Sequence, residues 1–240
     1  MGIVMVQDND VRFELNLFER WQLLHGQSEV HVAWRQQRLI SALAIYGPRN
    51  RRYISGLLWP DSPDARALES LRVSMHLISR ELPGLLVNSG QIVSLADGLK
   101  VDLHQCLAQV RKCEQTDSNA AEDVCFSRLL HAELLPGWYE DWVLLEQNRL
   151  RNFRLRALVM HVRRWLDRGE AEKAADAALG ALDLEPLHEA CVGLLMHAEL
   201  KMGNRAGALH AFERFRGKLK VELGVSPSDH LMQLAARIRV

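Results

Sequence analysis

The sequence lacks an excess of charge of either sign, because its 240 residues carry 30 lysines and arginines and 30 acidic residues. A chain with zero formal net charge has no global basic field that would hold it on nucleic acid. Any DNA-binding surface must therefore be a local patch. The sequence also shows no signal peptide and no apolar run long enough to cross a membrane. We therefore expect a cytoplasmic protein with no membrane partner.

Cysteine is scarce, and its spacing is poor for metal chemistry. The four cysteines form no CxxC pair. Two of them share a helix face, as buried thiols do, and His104 lies close to one of the two. This pattern argues against a metal centre, and we expect no cofactor. A glycine-rich phosphate loop is missing as well. The cysteines are Cys106, Cys113, Cys125 and Cys191.

Clusters that could suggest catalysis lack the partners that catalysis requires. Glu140, Asp141 and Glu146 lie on a predicted helix flanked by arginines, without a nucleophile or a glycine-rich turn. Salt bridges to Arg149 or Arg151 explain these carboxylates better than hydrolysis does. No nucleophile–base set is found elsewhere in the sequence, which predicts a protein that is not an enzyme.

The six tryptophans could suggest stacking on bases, but each lies within an apolar pattern or beside a turn. Packing in the core therefore explains them better. The tryptophans are Trp21, Trp34, Trp59, Trp138, Trp142 and Trp165.

The most informative segment of the chain is Leu57–Leu82, which predicts a short helix, a proline-bounded turn and a second helix. Apolar residues of the second helix recur at alternating spacings of three and four and form one stripe. The opposite face is centred on Arg66, Val73 and Arg80. Such a helix can present guanidinium groups to a DNA groove, or it can be an ordinary surface helix with solvated charges. The stripe consists of Leu68, Leu71, Met75, Ile78 and Leu82.

The order of elements before residue 100 is that of a winged helix preceded by a small sheet. Short alternating runs indicate strands at Val11–Leu17, Trp21–Leu24 and Val30–Ala33. Helical patterns follow at Arg35–Tyr46 and Arg51–Trp59, ahead of the helix already described. A hairpin follows them, with strands Leu85–Val87 and Ile92–Leu95 on either side of the turn Asn88–Gln91.

From Val101 onward the patterns are helical, with helices predicted at Val101–Glu114, Ala120–Leu134 and Trp138–Arg168. Farther along the chain, similar residues recur 34 positions apart, which is the tetratricopeptide period. We therefore predict a mainly α protein with a winged helix-turn-helix at residues 1–99 and an all-α tetratricopeptide-like bundle at residues 100–240. The recurring pairs are Gly169 and Gly203, Leu166 and Leu200, and Ala174 and Ala208.

Several motifs together resemble the SARP-type antibiotic regulatory proteins. Besides the helix-turn-helix segment, they are Gly137–Trp142 (GWYEDW), Glu185–Glu189, Gly203–Ala206 and Glu222–Ser228 (ELGVSPS). The resemblance implies an OmpR-like winged helix followed by a bacterial transcriptional activator domain. It also implies an activator that binds promoter DNA and recruits RNA polymerase at promoter repeats, with a homodimer as a further assembly.

From the exposed face and the resemblance we predict three groups of DNA-contacting residues. The first lies on the recognition helix, the second at the turn between the first two helices, and the third at the hairpin tip. Each has a plainer explanation as a solvated or structural polar residue. The predicted contacts are Arg66, Ser70, Arg72, Val73, His76 and Arg80, then Arg49, Arg51 and Arg52, then Asn88 and Gln91.

The turn Pro60, Asp61 and Ser62 is the predicted polymerase contact, by analogy with OmpR-type regulators. The basic face of the recognition helix is thin, because Met75, His76 and Leu77 interrupt it. The alternative function is therefore a tetratricopeptide-like module that binds proteins or senses a ligand and has weak DNA affinity.

Overall fold

The computed structural model describes residues 13–115 and 126–239. Their contacts divide the chain into two compact units. The first runs to Ala108 and includes Glu133–Leu144, and the second comprises Gln109–Ala132 and Leu145 onward. The predicted domains, 1–99 and 100–240, stay a prediction, because shared contacts do not show which part folds on its own. Among the described residues, no helix is both long and apolar enough to cross a bilayer.

The first unit begins with a four-stranded sheet in the order β3-β2-β1-β7. Leu15 and Leu23 point from paired strands into the core, as the alternation in the sequence predicts. The last strand runs parallel to β1, and the other neighbours are antiparallel. The strands are β1 (Phe13–Asn16), β2 (Gln22–His25), β3 (Ser28–Glu29) and β7 (Lys100–Val101).

One strand prediction is wrong, and one strand of this sheet was not predicted. The strand predicted at Val30–Ala33 is wrong, since the paired residues are Ser28 and Glu29. Gly26 has a φ of +64°, so the chain reverses in a tight turn and pairs at once with β2. Strand β7 was not predicted, because two residues are too few to show an alternating pattern.

The predicted helix-turn-helix and wing are present in the first unit. Gly47, with a φ of +73°, ends α1 just before Pro48, and the Asn50 side chain caps α2 by accepting from the Arg52 N–H at 2.9 Å. A three-stranded sheet in the order β4-β6-β5 joins the wing to the start of α2. The elements are α1 (Trp34–Tyr46), β4 (Arg49–Asn50), α2 (Arg51–Leu58), α3 (Asp64–Glu81), β5 (Leu86–Ser89) and β6 (Ile92–Leu95).

The apolar stripe of α3 is buried as predicted, with one exception. Leu71, Met75, Ile78 and Leu82 are buried, whereas Leu68 is only half-buried. Two small residues, Ala67 and Ser74, occupy the inner face instead. The buried face of α3 is therefore centred closer to Ala67 and Ser74 than the leucine spacing indicates.

The second unit is built of antiparallel helix pairs. Gly169 and Gly203 have φ values of +79° and +76°, so equivalent left-handed turns precede α6 and α8 and support the 34-residue period. Ala174 and Ala208 are fully buried, and their small side chains let paired helices approach closely. The helices are α4 (Asp102–Gln115, which begins in the first unit), α5 (Asp141–Arg168), α6 (Ala171–Leu184), α7 (Glu189–Lys201), α8 (Arg205–Leu223) and α9 (Asp229–Arg239).

Two helix boundaries differ from the predictions. The helix predicted at Ala120–Leu134 lies partly outside the described residues, and its described part is helical only at 126–131. Leu134 instead forms an isolated bridge with Phe18. The helix predicted from Trp138 begins at Asp141, because Gly137 has a φ of +80° and forms a turn.

Arg38 joins three segments of the first unit. Its Nε donates to the Glu140 carboxylate at 2.8 Å, and its Nη2 donates to the Leu58 carbonyl at the end of α2. The guanidinium also lies 5.8 Å from the centre of the Trp59 ring. The predicted pairing of Glu140 with Arg149 or Arg151 is therefore wrong, since its partner comes from α1.

The predicted salt bridge to Arg149 is confirmed for Glu146, at a distance of 2.5 Å. The tryptophan prediction is wrong for Trp34, which is 50% exposed and lies against Trp138 with ring centroids 4.2 Å apart. Trp138, Trp142 and Trp165 are buried, and the remaining two are half-buried.

Asp102, at the start of α4, connects that helix to the end of β1 within the first unit. Its carboxylate accepts the backbone N–H groups of Leu17 at 2.9 Å, Phe18 at 2.9 Å and Leu103 at 2.7 Å. Burial raises the pKa of Asp102, and these three donors together with His104 oppose that rise. The carboxylate therefore holds the end of β1 against the first turn of α4.

We expect Asp102→Ala to lower the free energy of unfolding by about 3 kcal/mol, because each buried donor left without an acceptor costs about 1–3 kcal/mol. Urea unfolding followed by circular dichroism measures the change. Asp97→Ala, at an exposed turn position, is the control and should leave the midpoint unchanged. Equal midpoints for the two variants would contradict the structural role of Asp102.

Candidate nucleic-acid interface

A cleft of about 550 Å³ lies in the first unit among α2, α3 and the tip of the wing. The backbone N–H of Arg51 donates to the Gln91 carbonyl at 2.9 Å and holds the start of α2 against the wing. The lining residues are Arg51, Arg52, Leu68, Leu71, Arg72, Met75, His76, Ser79, Asn88 and Gln91.

The cleft brings together six of the predicted DNA-contacting residues from three separate elements. α2 contributes two arginines, α3 contributes an arginine and a histidine, and the wing contributes two amides. All of these except half-buried Arg51 are exposed. The six are Arg51, Arg52, Arg72, His76, Asn88 and Gln91.

Ser79 was missed by the sequence analysis. It lies seven residues after Arg72 and three after His76, so the three residues share one face of α3. That spacing was visible in the sequence. The arginines at positions 66 and 80 instead centre the predicted contact face elsewhere on α3.

The face centred on Arg66, Val73 and Arg80 is exposed, but it does not line the cleft. It lies about a quarter of a turn round α3 from the face that does. Val73 is 48% exposed, and Arg80 pairs with Glu81 at 2.8 Å. Ser70 is half-buried, and its carbonyl accepts the Ser74 hydroxyl at 2.9 Å.

The charge of the cleft is positive although the chain as a whole is neutral. Arg51, Arg52 and Arg72 line it, and no carboxylate does so among the described residues. Glu69, outside the lining, pairs with Arg72. The Nε of Arg51 is buried and has no hydrogen-bond partner among the described residues. The cleft therefore offers donors to an anion.

Arg49 stands apart from the cleft. Its Nη1 donates to the Pro48 carbonyl at 2.9 Å, and its guanidinium lies 5.8 Å from the centre of the exposed Tyr53 ring. The aromatic ring holds this cation at the edge of α2.

The turn predicted to contact polymerase joins α2 to α3. Pro60 and Asp61 are exposed, and Ser62 is half-buried. The Ser62 N–H donates to the Trp59 carbonyl at 3.1 Å, so the Trp59 residue that packs near Arg38 also anchors the turn.

Comparison with known families decides the class of the chain. The bacterial transcriptional activator domain matches over residues 101–239, more than half of the chain. The chain belongs to this family. The predicted SARP-type relationship is thereby confirmed, and the family is one of transcription regulators and not an enzyme family.

Two curated relatives of this activator-domain protein are regulatory proteins named AfsR. The one from Streptomyces coelicolor is 28% identical over 218 residues, which cover 85% of this chain and 22% of the relative. The one from Streptomyces griseus is 27% identical, and the match covers 86% of this chain and 23% of the relative. The chain thus spans less than a quarter of the length of these relatives.

A solved structure supports the fold. Mycobacterium tuberculosis EmbR, determined in complex with a low-affinity phosphopeptide, superposes with a TM-score of 0.73 at 16% identity. The match covers 95% of this chain and 65% of that one. The predicted fold class is confirmed: the chain is mainly α, with an N-terminal winged helix-turn-helix and small sheet followed by an all-α helical bundle.

Two motifs of the activator domain meet in the second unit. Glu189 accepts the backbone N–H of Ser228 at 3.2 Å and also pairs with its hydroxyl. The neighbouring His188 caps α7, because its Nδ1 accepts the Cys191 N–H at 3.2 Å. Both residues therefore serve helix starts.

The cysteines of the activator-domain protein give no sign of a metal centre in the part that the structure describes. Cys106, Cys113 and Cys191 are buried and free of disulfides, and Cys125 lies outside the described residues. Burial raises the pKa of Cys191 to about 11, so this thiol stays protonated at neutral pH. No cluster of three potential metal ligands occurs among the residues described.

Proposed function

We propose that this transcription regulator binds promoter DNA through the first unit, with α3 in the major groove and the wing against the adjacent backbone. The observation that carries the proposal is the cleft, which collects three arginines from two helices and excludes carboxylates from its lining. Arginine is the side chain best suited to phosphate and guanine.

The start of α2 supplies the phosphate contacts in this proposal. Arg52 is exposed at the first turn, and the helix dipole makes the N-terminus of a helix attractive to anions. Asn88 and Gln91 on the wing add exposed amide groups near the same cleft. These contacts would position the protein without reading sequence.

The exposed face of α3 supplies the base contacts. Arg66 and Arg80 are long enough to reach guanine edges, and the exposed methyl groups of Val73 suit the methyl group of thymine. Arg72, His76 and Ser79 lie on the neighbouring face and continue the surface towards the wing.

In the same proposal the regulator is an activator. The exposed Pro60–Ser62 turn contacts RNA polymerase, and the helical unit contributes dimer contacts at promoter repeats. Support comes from the family match to an activator domain and from the similarity to AfsR regulatory proteins.

One observation favours a second function, a protein-interaction module with weak DNA affinity. Two of the α3 arginines are already paired with carboxylates, Arg72 with Glu69 and Arg80 with Glu81. Salt dependence separates the two functions. A DNA-binding protein loses affinity steeply as salt rises, because phosphate contacts release counterions.

We expect Arg52→Ala to weaken binding to all duplexes about equally and to reduce the salt slope by about one. Arg66→Ala should instead cost about 1–3 kcal/mol on the preferred duplex and relax sequence preference. Fluorescence anisotropy with a promoter fragment recovered by footprinting measures both effects. Arg237→Ala, on α9, is the control and should bind like the wild type. Wild-type affinity in an Arg52→Ala, Arg66→Ala double variant would refute the assignment.

Glu69→Gln should strengthen DNA binding by up to about fivefold, the scale of an exposed ion pair. The change releases Arg72 from its partner and removes a negative charge beside the phosphates. Glu222→Gln removes a carboxylate of similar exposure from α8 and should have no effect. The same anisotropy titration applies, and weaker binding by Glu69→Gln would contradict the placement of Arg72 at the duplex.

A further inference from the structure

A second concave surface lies within the helical unit, between α6 and α8. It encloses about 290 Å³, and α7 supplies part of its wall through Val192. We call it the α6–α8 groove. Its lining residues are Leu179, Leu182, Asp183, Pro186, Val192, Ala211, Arg214, Phe215 and Lys218.

The floor of the groove is apolar. Val192, Ala211 and Phe215 are buried beneath it, while Leu182 is half-buried and Leu179 is 40% exposed at its edge. The exposed leucine and the apolar floor together form a surface on which an apolar side chain of a ligand can pack.

One side of the groove carries positive charge. Arg214 and Lys218 lie one turn apart on α8, and both are exposed. Among the described residues Arg214 makes no ion pair, and the Lys218 Nζ is 3.9 Å from the Glu222 carboxylate. Asp183 is the one carboxylate in the lining, so cations outnumber acids there.

The face of α8 that carries the two cations also carries an exposed apolar residue. Val221 lies seven residues after Arg214 and three after Lys218, so it shares their face, and it is 85% exposed. A ligand that lies along this face would meet two cations and then an apolar side chain. Because the cations and the apolar side chain lie in a row along the helix, this face suits an extended ligand better than a compact small molecule.

We propose that the α6–α8 groove binds a short peptide segment of a protein partner, one that combines acidic and apolar residues. Its apolar side chains would lie on Leu179, Leu182 and Phe215. Its carboxylates would pair with Arg214 and Lys218. The charge of the groove selects against a basic segment, because Arg214 and Lys218 would repel it.

The cleft of the first unit plays no part in this binding. Peptide binding can therefore be tested independently of DNA recognition. The two activities can be measured on the same variants of the chain.

The test uses fluorescein-labelled synthetic peptides that combine leucine or phenylalanine with glutamate at different spacings. One matched series has lysine in place of glutamate, and another has alanine in place of the apolar residues. We expect at least one acidic–apolar peptide to bind the 240-residue chain, as measured by anisotropy. Neither matched counterpart should bind. Methyl NMR signals of Leu179 and Leu182 should shift during the titration.

The double variant Arg214→Ala, Lys218→Ala should bind the same peptide about tenfold more weakly, since each exposed pair contributes about threefold. Lys220→Ala removes a cation from another face of α8 and is the matched control, with wild-type binding expected. All these variants should keep wild-type affinity for DNA.

Three outcomes would overturn the proposal. One is that no acidic–apolar peptide binds at millimolar concentration. Another is that the lysine series binds as well as the glutamate series. The third is that free glutamate binds as tightly as the peptides, which would make the groove a small-anion site.

Discussion

The pairing of β4 with the wing is the interaction on which the candidate DNA surface depends. Arg49 pairs with Val93, and Asn50 pairs with Ile92. Because α2 begins at the next residue, this two-residue strand places the first turn of α2 at the tip of the wing. The N–H of Arg51 then donates to Gln91 and closes the arrangement. This pairing therefore brings the wing amides and the α2 arginines into one cleft.

The two candidate surfaces show how a chain of zero net charge can still carry local positive charge. In each, cations from well-packed helices line a concavity in which carboxylates are rare or absent among the described residues. The balancing acids lie elsewhere, in pairs such as Glu146 with Arg149. Net charge therefore constrains long-range attraction, while local composition decides which ligand a surface prefers.

Features that repeat at regular intervals along the chain were predictable from the sequence. The buried stripe of α3 and the 34-residue period both follow from regular spacing, and both are present. The wing was predictable because its turn residues mark it. Contacts between distant segments were not. Arg38 and Glu140 are 102 residues apart, and no periodicity connects them. Trp34 likewise lies against Trp138, a contact between distant residues that the local pattern does not show.

Arg38 has a consequence for the turn between α2 and α3. Its guanidinium is shared among Glu140, the Leu58 carbonyl and the Trp59 ring, so the residue that enters the turn is fixed before any partner arrives. Whatever docks at Pro60–Ser62 meets a preorganised loop and loses little affinity to immobilising it. Since Glu140 belongs to the segment leading into α5, the stiffness of this loop is set by residues far along the chain.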